Sequence, residues 1–150
     1  KREDVRAMED DEIDVCLFDG GIRTDEDAEM AHLLRAKSKV LVAFGSCASE
    51  GCIPGLANLH NRKEVFETAY HNEPSLDDSA GSEPKTKVKV DEGELTLPEL
   101  FNHVYPRDQV VDVDYYLPGC PPPADTLWTA LVALLNGQEL ELPYELIKYD

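Results

Sequence analysis

The stretch Val40-Leu41-Val42-Ala43-Phe44-Gly45-Ser46-Cys47 decides the fold. Its five consecutive apolar residues predict a strand buried on both faces, which is typical of a parallel sheet. Gly45 then allows a tight turn, and this turn carries a thiol. The same arrangement returns where residues 110–117 lead into Pro118-Gly119-Cys120. Because parallel strands end at a common edge of the sheet, Cys47 and Cys120 are predicted to face one crevice.

Elements on either side of this stretch predict an α/β fold. Residues 13–18 form an apolar run closed by Asp19-Gly20-Gly21, which predicts a second buried strand. Thr24 is placed to cap a helix, with Asp27 three residues further on and apolar residues at helical spacing behind it. Another helix is predicted over residues 124–135. We therefore expect a mostly parallel sheet of few strands with helices packed on it.

Residues 53–108 are predicted to be an irregular excursion from this sheet. Residues 61–70 can form a short helix, and residues 71–85 are rich in turn-forming types and predict a loop. A small hairpin is expected across Asp91-Glu92-Gly93, followed by a turn of helix that begins at Thr96. The alternating residues 110–116 predict a strand at the edge of the sheet.

The charge and composition of the chain limit its partners. It carries 31 acidic and 14 basic residues, a formal charge of −17, whereas surfaces that bind nucleic acid or anionic membranes are rich in lysine and arginine. No apolar run approaches the roughly 20 residues that span a bilayer. The four cysteines do not form the dense disulfide framework of small secreted domains. We expect a cytoplasmic protein that neither binds nucleic acid nor inserts into a membrane.

The four cysteines differ in their predicted roles. Cys47 and Cys120 lie in turns where no core needs filling, so they are candidate thiolate ligands rather than small buried thiols. Cys52 follows Cys47 at a spacing found in one ferredoxin pattern, but the other cysteines of that pattern are missing. Cys52 is therefore either a near-cluster residue or a bystander. Cys16 lies within the first strand, roughly 13 Å from the sheet edge, and is predicted to belong to the core.

These candidate ligands do not complete a site. A 4Fe-4S cluster or a structural zinc ion asks for four ligands, and the chain offers two good ones and one doubtful one. The histidines share no spacing typical of metal ligands. The sequence contains neither the Gly-x-Gly-x-x-Gly motif nor the Gly-Lys-Ser/Thr ending of nucleotide-binding loops. Something else must supply the remaining ligands.

Two segments resemble a known family. Gly45-Ser46-Cys47-Ala48-Ser49-Glu50-Gly51, followed by Ile53-Pro54-Gly55, and Pro118-Gly119-Cys120-Pro121-Pro122 resemble the small subunit of nickel-iron hydrogenases. The resemblance is closest to the cytoplasmic methyl-viologen-reducing type that partners heterodisulfide reductase. The cluster motifs are shared more distantly with the 20-kDa subunit of respiratory complex I.

The resemblance implies a fold and a ligand set. It implies a flavodoxin-like α/β domain, mostly parallel with helices on both faces, that holds a 4Fe-4S cluster. Cys47 and Cys120 would be its third and fourth ligands, and an upstream Cys-x-x-Cys would supply the other two. Cys52 stands where the family usually has a second glycine. Residues 1–150 would then form one cluster-binding domain, an internal part of a longer subunit. The turn residues expected around the cluster are Gly45, Ser46, Gly51, Gly119 and Pro121.

The resemblance also implies a function. Hydrogen would be oxidised at a nickel-iron site in a separate large subunit, and electrons would pass through the cluster of this chain to other redox subunits such as heterodisulfide reductase. Two alternatives remain open at the level of sequence. The first is a quinone-reductase subunit of the complex I kind. The second is a non-catalytic zinc or scaffold module whose cysteines are structural.

Overall fold

A three-stranded parallel sheet forms the centre of the fold, as seen in a computed structural model that describes residues 2–77 and 83–147. In chain order, the helices and strands of these described residues are α1 (Arg2–Arg6), β1 (Ile13–Asp19), β2 (Ile22–Thr24), α2 (Asp25–Lys37), β3 (Ser38–Phe44), α3 (Ser46–Glu50), α4 (Cys52–Gly55), α5 (Arg62–Glu67), β4 (Lys87–Val90), β5 (Gly93–Thr96), β6 (Leu100–Tyr105), β7 (Tyr115–Leu117) and α6 (Ala124–Leu135).

The register of the central sheet fixes where its strands end. Strand β3 lies in the middle, between β1 and β7, and both pairings are parallel. Phe44 at the end of β3 is paired with Asp19 on one side and with Leu117 on the other. The three strands therefore end side by side, and the turns that follow them share one edge, as the sequence predicts.

Helices cover both faces of this sheet. Leu41 of β3 is buried on one face, where it packs with Ala31 of α2. Val42 points to the opposite face and packs with Leu117 and with Ala130 of α6. This alternation explains why residues 40–44 are continuously apolar, since each face of β3 meets a helix. The predicted α/β class with helices on both faces is confirmed.

Local signals place α2 and α6 correctly. Thr24 accepts a hydrogen bond from Asp27 N, and the Asp27 carboxylate accepts one from Thr24 N, so the predicted capping box is formed. Helix α6 covers the predicted residues 124–135, and Gly137 follows it with a φ of +67°, a conformation that favours glycine.

The predicted strand over residues 110–117 is mostly wrong. Only Tyr115–Leu117 pairs with β3, and residues 107–109 form a 3-10 turn. Asp114 N donates to Leu41 O at 2.9 Å, while the Asp114 carboxylate accepts from Leu41 N at 2.7 Å and from Arg35. The Asp114 carboxylate thus accepts the hydrogen bond from Leu41 N that a main-chain carbonyl would accept in a regular sheet. Regular pairing with β3 begins at the next residue, Tyr115.

Within residues 53–108, the predicted hairpin is confirmed and the helical turn predicted at Thr96 is wrong. Strands β4 and β5 form the predicted antiparallel hairpin. The predicted helical turn at Thr96 is absent from the described residues; there the chain continues into β6, which pairs antiparallel with β2. Asp25 N donates to Glu99 O, and Glu99 N donates to the Asp25 carboxylate. These two bonds hold the segment extended beside the start of α2. The predicted loop over residues 71–85 lies partly outside the described residues.

Candidate metal centre

The turns after β3 and β7 are tied together by backbone and side-chain hydrogen bonds. Gly45 N donates to Leu117 O at 2.7 Å, and Ser46 N donates to Gly119 O at 2.9 Å. The buried Ser46 hydroxyl accepts from Gly119 N at 3.0 Å in return. Gly45 has a φ of +87°, and a Cβ there would lie 3.5 Å from Gly119 O. The positive φ, rather than the ordinary 3.5 Å contact, therefore favours glycine at this position.

This interlock brings two predicted ligands to equivalent positions. Cys47 lies three residues after Phe44, and Cys120 lies three residues after Leu117, the residue with which Phe44 is paired. Both thiols are free; Cys120 is exposed and Cys47 is partly buried. The sequence prediction that Cys47 and Cys120 lie at one edge of the sheet agrees with this placement.

Electrostatics shows which sulfurs lie near one another. Burial raises the pKa of the Cys47 thiol, and the neighbouring sulfurs of Cys52 and Cys120 raise it further. Cys52 is the larger of these two influences, and the Asp19 carboxylate adds a smaller effect in the same direction. The thiols of Cys52 and Cys120 therefore lie on the same side of the sheet edge as that of Cys47 and act on it through space. Because thiolates are the form that binds metals, iron or zinc would displace the proton that this environment retains on Cys47.

Cys52 is held in an unusual backbone conformation. Its φ is +40°, a region that non-glycine residues seldom adopt, and Gly51 before it has a φ of +89°. Strain of this kind costs about 1–3 kcal/mol and is concentrated at functional sites. A glycine would fit position 52 with less strain, so the side chain of Cys52 is present despite its conformational cost.

The other cysteine lies away from this rim. Cys16 is in β1 and packs against the core cluster around Ile22 and Leu41, as predicted. Burial raises the pKa of its thiol, which is the behaviour of an inert core cysteine.

The donor set fits a thiolate-bound cluster better than a single ion. Across residues 2–77 and 83–147, no group of three or more histidine, cysteine, aspartate or glutamate side chains is arranged to hold one metal ion. A closed tetrahedral zinc site is therefore not formed by these residues alone. An iron-sulfur cluster is larger and takes thiolates spaced around several iron atoms, of which Cys47 and Cys120 in the interlocked turns can supply two.

A buried arginine beside this rim is not predicted from the sequence. Arg107 is only 3% exposed, and it contacts the loop Asp19-Gly20-Gly21 that follows β1. A Cβ on Gly21 would lie 2.7 Å from Val104 Cγ1 and 3.4 Å from Cys47 O, so this loop packs directly on the Cys47 turn. No local signal marks Arg107, because an arginine between Pro106 and Asp108 resembles an ordinary surface residue.

An exposed apolar strip lies next to the three thiols. Directly after Cys52, every third residue is apolar and more than half exposed: Ile53, Leu56 and Leu59. Large apolar side chains grouped on a surface in this way mark sites of contact with other proteins.

These observations define a class of protein. A parallel α/β sheet whose strand-end turns bring soft thiols to one edge is typical of proteins that hold a thiolate-bound metal centre. Comparison with known proteins identifies the family. The chain belongs to the family described as NADH ubiquinone oxidoreductase, 20 Kd subunit, whose model matches residues 2–134.

Curated relatives come from hydrogenases. The chain is 43% identical over 137 residues to an iron-sulfur subunit of the F420-non-reducing hydrogenase of Archaeoglobus profundus, covering 91% of this chain and 43% of the relative. It is 33% identical over 136 residues to the delta subunit of the NAD-reducing hydrogenase HoxS of Cupriavidus necator, covering 91% of this chain and 62% of the relative. The chain thus spans less than two thirds of the length of both relatives.

A solved structure supports the fold. The chain matches a structure of NAD+-reducing [NiFe]-hydrogenase in the H2-reduced state with a TM-score of 0.80 and 36% identity, covering 91% of this chain and 72% of that one. The resemblance to nickel-iron hydrogenase small subunits that the sequence indicates is confirmed. In the part of the chain that the structure describes, no helix is long and apolar enough to cross a bilayer.

Proposed function

We propose that this chain is the electron-transfer domain of a nickel-iron hydrogenase small subunit, in which Cys47 and Cys120 bind the 4Fe-4S cluster nearest the nickel site. The observation that carries the proposal is the interlock of the two turns, which brings Cys47, Cys52 and Cys120 within electrostatic reach of one another. Support also comes from relatives that are themselves hydrogenase subunits, one of them named an iron-sulfur subunit.

The ligand set follows from the geometry and from the count of thiols. Cys47 and Cys120 each supply one thiolate, and a Cys-x-x-Cys upstream of Lys1 supplies the other two. A 4Fe-4S cluster bound there supplies transfer of one electron at a time. Cys16, packed in the core, takes no part in this set.

Cys52 is proposed as a near-cluster residue. Its backbone is strained at a φ of +40°, and its thiol is close enough to Cys47 to raise the pKa of that residue. A strained cysteine in contact with a ligand is more readily explained by a role beside the cluster than by packing, because Cys52 belongs to neither buried core cluster.

The other residues of the site hold the thiols in place. The bonds between Ser46 and Gly119 fix the separation of the two turns, and Gly45 provides the positive φ that the first turn needs. Rigid spacing of ligands, hydrogen bonds from turn N–H groups and exclusion of water are the means by which a protein sets the reduction potential of a cluster.

The partner contacts are proposed along the same edge. The apolar strip of Ile53, Leu56 and Leu59 adjoins Cys52 and fits the large subunit, whose nickel site must lie close to the cluster for rapid electron transfer. Other redox subunits, such as heterodisulfide reductase in the cytoplasm, are proposed as the electron acceptors.

The experiment uses the full-length subunit purified with its large subunit. We expect iron and acid-labile sulfide in the purified complex, and bleaching of cluster absorbance with the rise of an electron paramagnetic resonance (EPR) signal when hydrogen is added. Zinc without sulfide would contradict the proposal and would favour the structural module.

A quinone-reductase subunit is the second candidate, and the description of the matching family favours it. The upstream sequence separates the two: adjacent cysteines favour a complex I-type subunit, whereas Cys-x-x-Cys favours a hydrogenase. In a hydrogenase, the purified complex would be reduced by hydrogen. In a complex I-type enzyme, it would reduce a quinone and would not respond to hydrogen.

A further inference from the structure

Arg107 is a buried cation with incomplete hydrogen bonding. The residue is 3% exposed, and its guanidinium carbon lies 3.3 Å from the centre of the Phe18 ring. Nη2 donates to Asp19 O, while Nε and Nη1 are buried with no hydrogen-bond partner among the described residues. A purely structural arginine would be expected to satisfy these donors, since leaving them unpaired costs free energy.

The charge on Arg107 persists at neutral pH. Burial lowers the pKa of the guanidinium to about 10, although the carboxylates of Asp27 and Asp19 oppose this shift. The side chain therefore stays protonated under physiological conditions. Its field is poorly screened, because the guanidinium is enclosed by protein rather than by water.

Arg107 lies across one glycine turn from the proposed cluster ligands. A Cβ on Gly20 would lie 3.7 Å from Arg107 Nη2, whereas a Cβ on the next residue, Gly21, would lie 3.4 Å from Cys47 O. Adjacent residues thus contact the guanidinium on one side and the Cys47 turn on the other. The distance from the guanidinium to the Cys47 turn is therefore on the order of 10 Å, because the path consists of these two contacts and the 3.8 Å step between adjacent Cα atoms.

We propose that Arg107 is a fixed positive charge that raises the reduction potential of the cluster bound at Cys47 and Cys120. Reduction adds a negative charge to the cluster, and a buried cation nearby stabilises the reduced form more than the oxidised form. The inference rests on the proposed function. Asp19 and Asp27 act in the opposite direction, so the guanidinium supplies a partly compensated field.

The test compares charge-changing variants in the full-length hydrogenase complex, with the cluster potential measured by EPR-monitored redox titration. Arg107→Gln removes the charge, and we expect reduction at a fixed potential to become about tenfold less favourable, a shift of about 59 mV to more negative potential for one electron. Arg107→Lys keeps the charge and is expected to stay near the wild-type potential. Asp27→Asn leaves Arg107 in place, removes a negative charge beside it and is expected to shift the potential to more positive values.

Arg35→Gln is the matched control. Arg35 donates to Ser38 O and to the Asp114 carboxylate, which bonds in turn to Leu41 N. At 3.3 Å per residue, Ser38 lies about 20 Å and Leu41 about 10 Å before the end of β3, and the candidate site lies beyond that end. Its loss removes one positive charge further from the site, so it should shift the potential by much less than Arg107→Gln does. Thermal unfolding of each variant reports the structural effect separately.

The outcomes separate this inference from the proposed function. Arg107→Gln with an intact cluster and an unchanged potential would overturn the inference alone, as would equal shifts in Arg107→Gln and Arg107→Lys. A wild-type complex without iron and sulfide would overturn both. If Arg107→Gln does not assemble, Arg107→Met decides, since it is also neutral and can keep the contact with the Phe18 ring: a shift to more negative potential supports the fixed charge, and an unchanged potential overturns it.

Discussion

Replacement of Gly21 by alanine tests how tightly the loop after β1 packs on the candidate site. The added Cβ would lie 2.7 Å from Val104 Cγ1, closer than two carbon atoms can approach. Val104 cannot easily yield, because its side chain is β-branched and its backbone is held on both sides by Asn58, which donates to Val104 O at 2.8 Å and accepts from Val104 N at 2.7 Å.

The magnitude follows from overpacking. Forcing an extra methyl into such a site costs about 1–3 kcal/mol, offset in part by about 0.4–1 kcal/mol from the reduced entropy of the unfolded chain. Gly55 is the matched control, since its φ of −65° suits alanine and nothing lies within 4 Å of the added Cβ. We therefore expect Gly21→Ala to be destabilised and Gly55→Ala to be slightly stabilised.

The assay is urea unfolding of the full-length subunit. The free energies of unfolding can be compared directly if the slope of free energy against urea concentration is the same in each variant. A second substitution, Val104→Ala, should restore part of the stability lost in Gly21→Ala, because it removes the methyl that the new Cβ meets. The account of this loop is refuted if Gly21→Ala is as stable as Gly55→Ala. It is also refuted if the loss of stability in the double variant equals the sum of the losses in Gly21→Ala and Val104→Ala.

Three further variants test the elements that position the site. Ser46→Ala leaves the buried Gly119 N without its acceptor and should cost about 1–3 kcal/mol in urea unfolding; an unchanged free energy would show that the two turns are not interlocked. Thr24→Ala removes the cap of α2 and should cost about 1 kcal/mol by the same measurement, whereas no loss would argue against the capping box. Partial burial acts to raise the pKa of Asp114, but hydrogen bonds from Leu41 N and Arg35 outweigh it, so the pKa is lowered. A lowered pKa gives stability above the usual value of about 3.9 that is lost as the pH falls through the folded-state pKa. Asp114→Asn should therefore be less stable than wild type at pH 7 and should match it in strong acid; a difference independent of pH would contradict this.

Local signals account for the elements that the sequence predicts correctly. The capping box of Thr24 and Asp27 involves residues three positions apart, so it can be found by reading along the chain. The same holds for α6 and for the buried strand β3. The shared edge of Cys47 and Cys120 is also predictable, because parallel strands that end together bring the turns after them together.

Contacts between distant residues account for the errors. The strand predicted over residues 110–117 is shortened because the Asp114 carboxylate bonds to Leu41 N, 73 residues away in sequence. The helix predicted at Thr96 is replaced by strand β6 because Glu99 pairs with Asp25 across 74 residues. Hydrogen-bond partners this far apart leave no mark in a local pattern.

The same reason hides Arg107 from sequence analysis. Its burial depends on the Phe18 ring and on the carbonyl of Asp19, 88 residues earlier in the chain. Cys52 lies between these cases: its spacing from Cys47 is visible in the sequence, but its strained backbone is visible only in the structure.

The central claim is that Cys47 and Cys120 bind the same iron-sulfur cluster, and ligand substitution tests it most directly. Cys47→Ser, Cys120→Ser and the control Cys16→Ser would each be prepared in the full-length complex, reduced with hydrogen and compared with wild type by iron and sulfide content and by EPR. We predict that the first two each lose the proximal cluster signal and that Cys16→Ser retains it. A proximal signal that persists in Cys120→Ser and in Cys47→Ser would contradict the claim.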